Sequence, residues 1–261
     1  MTLITTPALV LHHTRYSDRY SIVHLYTQEM GRVGVLVPER TSRRHTIREH
    51  LRPLAEVEVT LSYSPKRDLA SIQEVHSLHP RHTVHTHPAK GAQAIFLSEF
   101  LYRILTTPQA DRALYLHLSE ALIFWEATSR RVANFHLCLL LRLLPELGIT
   151  PSITLPKAEE EVFFSLVDQA FCLERQAYCL DQESSHHLLT FLRMDYLTMH
   201  RFRYSRQDRA TILDALLTYY HLHLHPLPQL KCLSILRQLG ATQQGAGENP
   251  PFHLRKSEVR S

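Results

Sequence analysis

The spacing of apolar residues changes near residue 88, and this change constrains the fold more than any other feature of the sequence. Before about residue 80 the apolar residues occur in five short runs rich in β-branched and aromatic side chains, namely PALVLHH, SIVHLYT, GRVGVLV, LAEVEVTLSY and LASIQEVHSL. In the fourth run Val57, Val59 and Leu61 alternate with polar residues, as in a strand with one buried face. Five short strands with one long connection predict a small closed barrel of the OB type.

From Pro88 onward the apolar residues follow a helical period. Leu97, Phe100 and Leu101 share one face of the first such segment, and VANFHLCLLLRLLPELG is apolar nearly all round, as in a central helix that ends at Gly148. Between the later helices EVFFSLVDQAFCLERQAYCLD alternates like a β-hairpin. The sequence therefore predicts an α+β protein, in which a five-stranded OB-type β-barrel precedes a mainly α-helical bundle domain with a small β-hairpin insertion.

These patterns also predict the domain boundaries. We expect an OB-fold domain over residues 1–82, an α-helical domain over 88–242 and a disordered tail over 243–261, which is rich in glycine, proline and polar residues. No secretory signal and no apolar run long enough to cross a bilayer is present, which indicates a cytoplasmic protein without a membrane partner. The four cysteines are irregularly spaced, which favours reduced, mostly buried thiols.

Positive charge is concentrated in the first third of the chain. The net charge of the whole chain is +4, and residues 1–87 hold 11 Lys and Arg against 8 Asp and Glu, whereas residues 88–242 hold 15 of each sign. Much of the excess lies between Arg40 and Arg52, where five arginines face a single acid, Glu49. A loop with so little compensating charge suits an anionic partner.

Arginine suits phosphate in particular, because its planar guanidinium donates two parallel hydrogen bonds and stays charged. A barrel with basic connecting loops and exposed aromatics is a common way to bind single-stranded nucleic acid. The predicted DNA-contacting residues are Arg40, Arg43, Arg44, Arg48 and Arg52 in the loop, with Arg15, Arg19, Arg32, Lys66 and Arg67 continuing the patch. Candidate stacking residues are Tyr16, Tyr20, Tyr26 and Tyr63, with core packing the alternative for any that point inward. The alternative for the loop is a solvated segment that binds nothing.

Motifs of common enzyme classes are absent from the sequence. It contains neither G-x-G-x-x-G nor G-x-x-x-x-G-K-[ST], no G-x-S-x-G and no H-E-x-x-H, which disfavours an enzyme and predicts no cofactor. The histidines His221, His223 and His225 suggest a metal site, but on a helix the middle one points away from the other two. We therefore predict no metal, with a metal-dependent hydrolase kept as an alternative.

The ordered motifs of the first domain resemble the N-terminal domain of the RecO family of recombinational DNA-repair mediators. The matching residues are Val10-Leu11, Tyr16-Ser17-Asp18, Tyr26-Thr27 and Gly31-Arg32-Val33, followed by the arginine-rich loop and LRPLAEVEVTLSY. Downstream, AIFLSEFLYRIL, ANFHLCLLLRLLPELGITP and FLRMDYLTMHRF resemble the helical domain of RecO proteins from the Bacteroidetes group. The resemblance extends to about residue 240.

This resemblance implies a non-enzymatic, nucleoid-associated mediator that binds single- and double-stranded DNA and anneals complementary strands. It also implies binding to the C-terminal tail of single-stranded-DNA-binding protein and, with RecR, loading of RecA. The family's basic loop residues fall on Arg43, Arg44 and Arg48, although Pro38-Glu39 stands where the family often has Lys-Gly. Neither of the two C-x-x-C pairs found in many members follows Leu147-Gly148, so the resemblance implies no structural zinc.

For the partner tail we expect an apolar groove on the helical domain, rimmed by basic residues that receive the terminal carboxylate. Arg130, Arg131 and Arg142, near the central helix, are the candidates, with solvated surface roles as the alternative. A different class of function also remains open, namely a protein-interaction scaffold whose barrel is structural and binds no DNA.

Overall fold

The structure is a computed structural model that describes residues 2–38, 47, 49–64, 66–128, 132–154 and 162–239. Its strands are β1 Thr2–Arg15, β2 Tyr20–Thr27, β3 Gly31–Pro38, β4 Glu56–Tyr63, β5 Ala70–His79, β6 Phe163–Ser165 and β7 Ala170–Cys172. Its α-helices are α1 Thr83–Thr86, α2 Pro88–Ile104, α3 Arg112–Ala127, α4 Phe135–Glu146, α5 Gln182–Leu192, α6 Arg206–His223 and α7 Leu233–Leu239. No helix in the described part of the chain has the length and apolar content needed to cross a bilayer.

The first five strands form a closed barrel in the order β1-β2-β3-β5-β4. Its long first strand pairs with β2 over residues 8–15 and with β4 over residues 2–9, so that one long strand serves both sides. The barrel closes between β3 and β5, which run parallel and pair only at Val35–Ala70 and Leu36–Ser71. The predicted α+β class and the five-stranded N-terminal sheet are confirmed.

Alternation along the strands builds the core of the barrel. Val57, Val59 and Leu61 are fully buried, as their spacing predicts, and they pack with inward-facing residues of the other four strands. Gly31 has φ +65°, and a Cβ at this position would lie 2.2 Å from the carbonyl oxygen of Gln109. The β2–β3 hairpin therefore needs glycine both for its turn and for close packing against the segment between α2 and α3.

Contacts divide the described chain into two compact units. The barrel unit contains residues 2–128 together with 228–239, and the helical unit contains residues 132–227. The sequence places a domain boundary at residues 82–88, where strands give way to helices, whereas these contacts group α1–α3 and α7 with the barrel.

In the helical unit, α4 is apolar nearly all round, and Gly148 lies beyond its end at φ +71°. The predicted hairpin is the pair β6–β7, with a turn that places Gln169 at φ +58°. Ser205 and Asp208 form a capping box at the start of α6. The segment FLRMDYLTMHRF is not one continuous helix, because α5 ends at Leu192 and Met199–Arg201 forms a short 3₁₀ turn.

A buried carboxylate holds the strands and helices of the barrel unit together. Glu56, at the start of β4, is 2% exposed and accepts hydrogen bonds from Ser119 Oγ at 2.6 Å and Tyr115 OH at 3.0 Å on α3. It also accepts from Arg81 Nη2 at 2.9 Å and His79 Nδ1 at 3.0 Å. Burial alone would raise the pKa of Glu56, but the hydrogen bond from Ser119 and the charge of Arg81 outweigh it and lower that pKa.

Candidate nucleic-acid interface

Strand register brings three connections of the barrel to the same end. Tyr20, which follows the β1–β2 turn, pairs with Pro38, after which the arginine-rich loop leaves β3. The β4–β5 turn leads into Ala70, which pairs with Val35 near the end of the same strand. The described side chains at this end form what we call the basic end, which consists of Arg15, Tyr16, Arg19, Tyr20, Lys66 and Arg67.

Two tyrosines of the basic end lie in a tightly bonded turn. Tyr16 is 64% exposed and Tyr20 39% exposed. The backbone N–H groups of Tyr16 and Ser17 both donate to the carbonyl of Tyr20, and Ser17 Oγ accepts from the N–H groups of Arg19 and Tyr20. The turn therefore presents two rings on a preformed backbone. The other two candidate stacking residues are engaged in packing, since Tyr26 is buried with its ring centroid 6.5 Å from that of Tyr115 on α3, and Tyr63 packs against the barrel core.

One of the four cations of the basic end forms an ion pair with a neighbouring acid. Arg19, Lys66 and Arg67 are exposed. Arg15 is also exposed, but its Nη2 lies 2.6 Å from Asp18 Oδ1, so part of its charge is neutralised by an ion pair that contributes little to stability. The three cations of the first group are therefore the strongest described candidates for phosphate contact.

Arg52 is exposed as well, but it lies in the segment that crosses β1 before β4 begins. The carbonyl of the preceding residue, Leu51, accepts a hydrogen bond from His13 Nε2 at 2.5 Å, and Leu54 N donates to the carbonyl of Val10. This places Arg52 beside the second half of β1, near Val10 and His13. The remaining loop candidates, Arg40, Arg43, Arg44 and Arg48, lie outside the described residues, as do Arg130 and Arg131.

Arg32 lies apart from the basic end, next to the hairpin where Gly31 pairs with Thr27. Its Nη1 donates to the carbonyl of Tyr102 at 2.9 Å, and its Cζ lies 4.1 Å from the centroid of the Tyr102 ring. Its backbone N–H also donates to the carbonyl of Thr107. These contacts hold the guanidinium within the barrel unit, so we leave Arg32 out of the proposed DNA surface.

The two histidines beside Arg32, His12 and His24, are uncharged at neutral pH and therefore add no positive charge to the proposed DNA surface. The ring of Tyr102 lies 4.5 Å from that of His12 and 4.8 Å from that of His24. Burial, followed by the nearby charge of Arg32, lowers the pKa of His24 to about 4, and burial likewise lowers the pKa of His12. Both rings are therefore neutral packing groups between the barrel and α2.

The helical unit contains a small apolar recess. Its lining residues are Leu144, Pro151, Phe164, Leu166, Leu188, Leu192, Ala215, Leu216 and Tyr219. Arg142, a predicted tail contact, is engaged elsewhere in this unit, because its Nε donates to the carbonyl of Met194 at 2.9 Å and its Nη2 to that of Leu192 at 3.2 Å. It thus satisfies carbonyls at the end of α5. Arg193, which directly follows a lining residue, is exposed, and sequence reasoning missed it.

The histidines at the end of α6 form internal hydrogen bonds. His223 Nε2 donates to the carbonyl of Leu166 at 2.6 Å, and its Nδ1 lies 3.0 Å from Gln169 Nε2. His221 Nδ1 accepts from the backbone N–H of Leu227. Across the described residues, no three side chains of the His, Cys, Asp or Glu type are grouped so that they could hold a metal ion.

Comparisons with known proteins agree along nearly the whole chain. The family model described as recombination protein O N terminal matches residues 1–81, and the model described as recombination protein O C terminal matches residues 85–231. The chain is 37% identical over 244 residues to the DNA repair protein RecO of Porphyromonas gingivalis, covering 91% of this chain and 99% of that protein. It is 34% identical over 238 residues to the DNA repair protein RecO of Bacteroides fragilis, covering 90% and 98% respectively.

Proposed function

The chain belongs to the RecO family of DNA repair proteins, and from this premise we propose that it binds single- and double-stranded DNA through the basic end of its barrel. The observation that carries the proposal is the pairing of two exposed tyrosines, Tyr16 and Tyr20, with exposed cations from two different connections at one end of the barrel. Aromatic faces stack on bases of any sequence, while cations follow the phosphates. Binding of this kind is largely independent of sequence.

The proposed mechanism is electrostatic and involves no catalytic residue. Cations of the basic end, together with the arginines of the loop that leaves β3 at Pro38, replace counterions on the phosphates. Two strands on such a surface repel each other less and can pair, so that the protein anneals complementary DNA. In this role it acts as a mediator that, together with RecR, helps to load RecA onto DNA coated with single-stranded-DNA-binding protein.

Salt dependence provides the test of the DNA surface. We would titrate a labelled, mixed-sequence single strand with the protein at several salt concentrations and measure fluorescence anisotropy. The triple variant Arg19→Ala, Lys66→Ala, Arg67→Ala should flatten the slope of log affinity against log salt by about 2, at roughly 0.7 per lost phosphate contact. A second triple variant, Arg43→Ala, Arg44→Ala, Arg48→Ala, tests the basic loop in the same assay.

The matched control carries the same loss of charge at exposed arginines outside the basic end, namely Arg112→Ala, Arg175→Ala and Arg193→Ala. Its slope should equal that of the unaltered protein. If the control and the two triple variants weaken binding equally, net charge and not this surface governs affinity. If the unaltered protein binds no DNA even at low salt, the barrel is structural and the protein is an interaction scaffold.

For the helical unit we propose that the surface beside the apolar recess, around Leu192 and Arg193, receives the acidic C-terminal tail of single-stranded-DNA-binding protein. The support is the half-buried Leu192, which lines the recess, and the exposed Arg193 directly after it, which is available to a terminal carboxylate. A labelled tail peptide should bind, and its C-terminally amidated form should bind more weakly. Arg193→Ala should reduce this difference, while Arg175→Ala should leave it unchanged. Equal binding of both peptide forms would contradict the assignment.

A further inference from the structure

Two cysteines of the helical unit are held side by side by the backbone of its small sheet. Cys172 lies on β7 and pairs with Phe163, while Cys179 forms an isolated bridge with Ser165 on the same strand, β6. Backbone bonds fix the second cysteine on both sides, because Leu166 N donates to the carbonyl of Tyr178 and Leu180 N donates to that of Phe164. The proximity of the two thiols is therefore a property of the strand pairing.

Their sulfur atoms are 3.7 Å apart, and both thiols are free. A disulfide requires about 2.0 Å, so small side-chain rotations separate this arrangement from a bond. Cys172 is half-buried and Cys179 is buried, while every residue from 173 to 178 is exposed. One thiol is thus accessible from solvent, and the other lies directly behind it.

We propose that Cys172 and Cys179 form a reversible intramolecular disulfide by exchange with a low-molecular-weight disulfide of the oxidised-glutathione class. In the first step the Cys172 thiolate attacks one sulfur of the small disulfide, forms a mixed disulfide and releases one small thiol. In the second step the Cys179 thiolate attacks the Cys172 sulfur, forms the protein disulfide and releases the second small thiol. Two protein thiols are oxidised and one small disulfide is reduced, with both protons passing to the released thiols.

The surroundings of the pair determine how fast this exchange runs. Burial, followed by the hydrogen bond and charge of Cys179, raises the pKa of the Cys172 thiol to about 11. Only the thiolate attacks, so exchange is slow at neutral pH. As long as the pH is below that pKa, the rate of exchange rises about tenfold for each unit by which the pH increases. The backbone N–H of Gln176 lies 3.4 Å from Cys179 Sγ and can donate to it, which helps to hold this sulfur in place.

The other two cysteines serve as internal controls. Cys138 is buried on α4 and Cys232 directly before α7, and burial raises the pKa of Cys138 to about 12 and also raises that of Cys232. Neither Cys138 nor Cys232 takes part in the sulfur–sulfur contact between Cys172 and Cys179. Both thiols should stay free under conditions that oxidise the pair.

A disulfide at this site would act on the sheet that borders the recess. It would anchor the exposed segment Leu173–Tyr178 to the hairpin whose residues Phe164 and Leu166 line that recess. A cross-link restricts the unfolded chain more than the folded one when the ends already lie together. We therefore expect oxidation to raise the thermal midpoint of the helical unit.

The experiment incubates the full chain with graded ratios of oxidised to reduced glutathione at pH 7, 8 and 9, traps free thiols by alkylation and maps the cysteines by peptide mass spectrometry. The expected result is a peptide cross-linked between Cys172 and Cys179, with Cys138 and Cys232 alkylated. The rate should rise about tenfold per pH unit. Cys179→Ser should instead accumulate the mixed disulfide at Cys172, and Cys172→Ser should accumulate none.

Three outcomes would overturn the proposal, and none depends on whether the protein binds DNA. The pair could stay fully alkylated even in the most oxidising buffer at pH 9. The unaltered chain could retain glutathione on Cys172, which would mean that Cys179 does not resolve it. The disulfide could join two chains instead of two cysteines of one chain, in which case its yield would fall when the protein is diluted. A thermal midpoint that is equal in oxidised and reduced protein would refute the expected stabilisation.

Discussion

At the scale of single residues, the carboxylate of Glu56 has the largest consequence for stability. It is the shared acceptor for Ser119, Tyr115, Arg81 and His79, and Arg81 is itself buried. Its position in β4 has the parity of the outward-facing residues, so alternation alone predicts exposure. The outer face is buried here because α3 packs over it, which is a tertiary effect that strand periodicity does not contain.

Replacing this carboxylate should destabilise the barrel unit. Glu56→Gln leaves Arg81 buried without a counter-charge, which costs roughly 3 to 5 kcal/mol. The single tryptophan, Trp125, is buried in the same unit, so denaturant titrations followed by its fluorescence report this loss. Glu74→Gln, an exposed carboxylate on β5, is the control and should change stability by less than about 0.5 kcal/mol.

The same carboxylate should make stability depend on pH. Because the folded-state pKa of Glu56 lies below its ordinary value of 4.5, its ionised form contributes stability that is fully present above that pH. The contribution is lost as pH falls through the lowered folded-state pKa. Acid titration of the unaltered protein should show this loss, and the titration of Glu56→Gln should lack this part of it. Parallel acid titrations of the two proteins would show that folding does not lower the pKa of Glu56.

Arg32 is a predicted DNA contact whose observed contacts favour a structural role. In the sequence it continues a basic patch, but its guanidinium donates to the carbonyl of Tyr102 and lies over the ring of that residue. Arg32→Ala should therefore lower the free energy of unfolding by roughly 1.5 to 3 kcal/mol and leave the salt slope of DNA binding unchanged. Arg19→Ala should instead flatten the salt slope of DNA binding and leave the free energy of unfolding unchanged. A flattened slope for Arg32→Ala in protein that remains folded would return this residue to the DNA surface.

At the scale of elements, two glycines with positive φ separate the cost of backbone conformation from the cost of close packing. Gly31 has φ +65° and lies against the backbone of Gln109, whereas Gly148 has φ +71° and an added Cβ there would meet nothing within 4 Å. Gly148→Ala should cost about 1 to 2 kcal/mol from conformation alone. Gly31→Ala should cost clearly more, because the two backbones must also separate.

Denaturant titrations measure both changes, with Trp125 fluorescence reporting the barrel unit alone and circular dichroism reporting the helices of both units. Equal losses for the two variants would mean that the segment containing Gln109 yields without cost. The hairpin itself was predictable, since glycine after TQEM signals a turn between apolar runs. The contact with Gln109 was not, because it joins positions 78 residues apart and leaves no local pattern.

At the scale of the whole molecule, the sequence predicts the elements better than it predicts their grouping. Five strands, the hairpin insertion and the apolar central helix follow from local period, and the structure contains each of them. The return of residues 228–239 to the barrel unit does not follow from local period. It depends on Glu99, whose carboxylate accepts the backbone N–H groups of Lys231 and Cys232 at 3.1 and 2.9 Å. The candidate site divides similarly, because charge located the basic connections while strand register was needed to separate Arg32 from them.

This grouping predicts which unit a C-terminal truncation destabilises. A chain that ends at residue 227 loses α7 and leaves the carboxylate of Glu99 without the two backbone donors at the start of that helix. Each hydrogen bond to a charged group contributes about 1.5 to 3 kcal/mol, so the barrel unit should lose at least about 3 kcal/mol. A chain that ends at residue 239 keeps α7 and is the matched control. Glu99→Gln should give a smaller loss in the same unit, because the amide oxygen can still accept one of the two backbone N–H groups.

The two units can be followed separately in this experiment, because the only tryptophan, Trp125, belongs to the barrel unit. The truncation at 227 should lower the denaturant midpoint seen by fluorescence, and the truncation at 239 should leave it unchanged. If instead fluorescence is unaffected and only the circular dichroism transition shifts, α7 stabilises the helical unit. The last described helix then contributes to stability outside the unit in which its contacts place it, and the hydrogen bonds to Glu99 are not what holds the end of the chain.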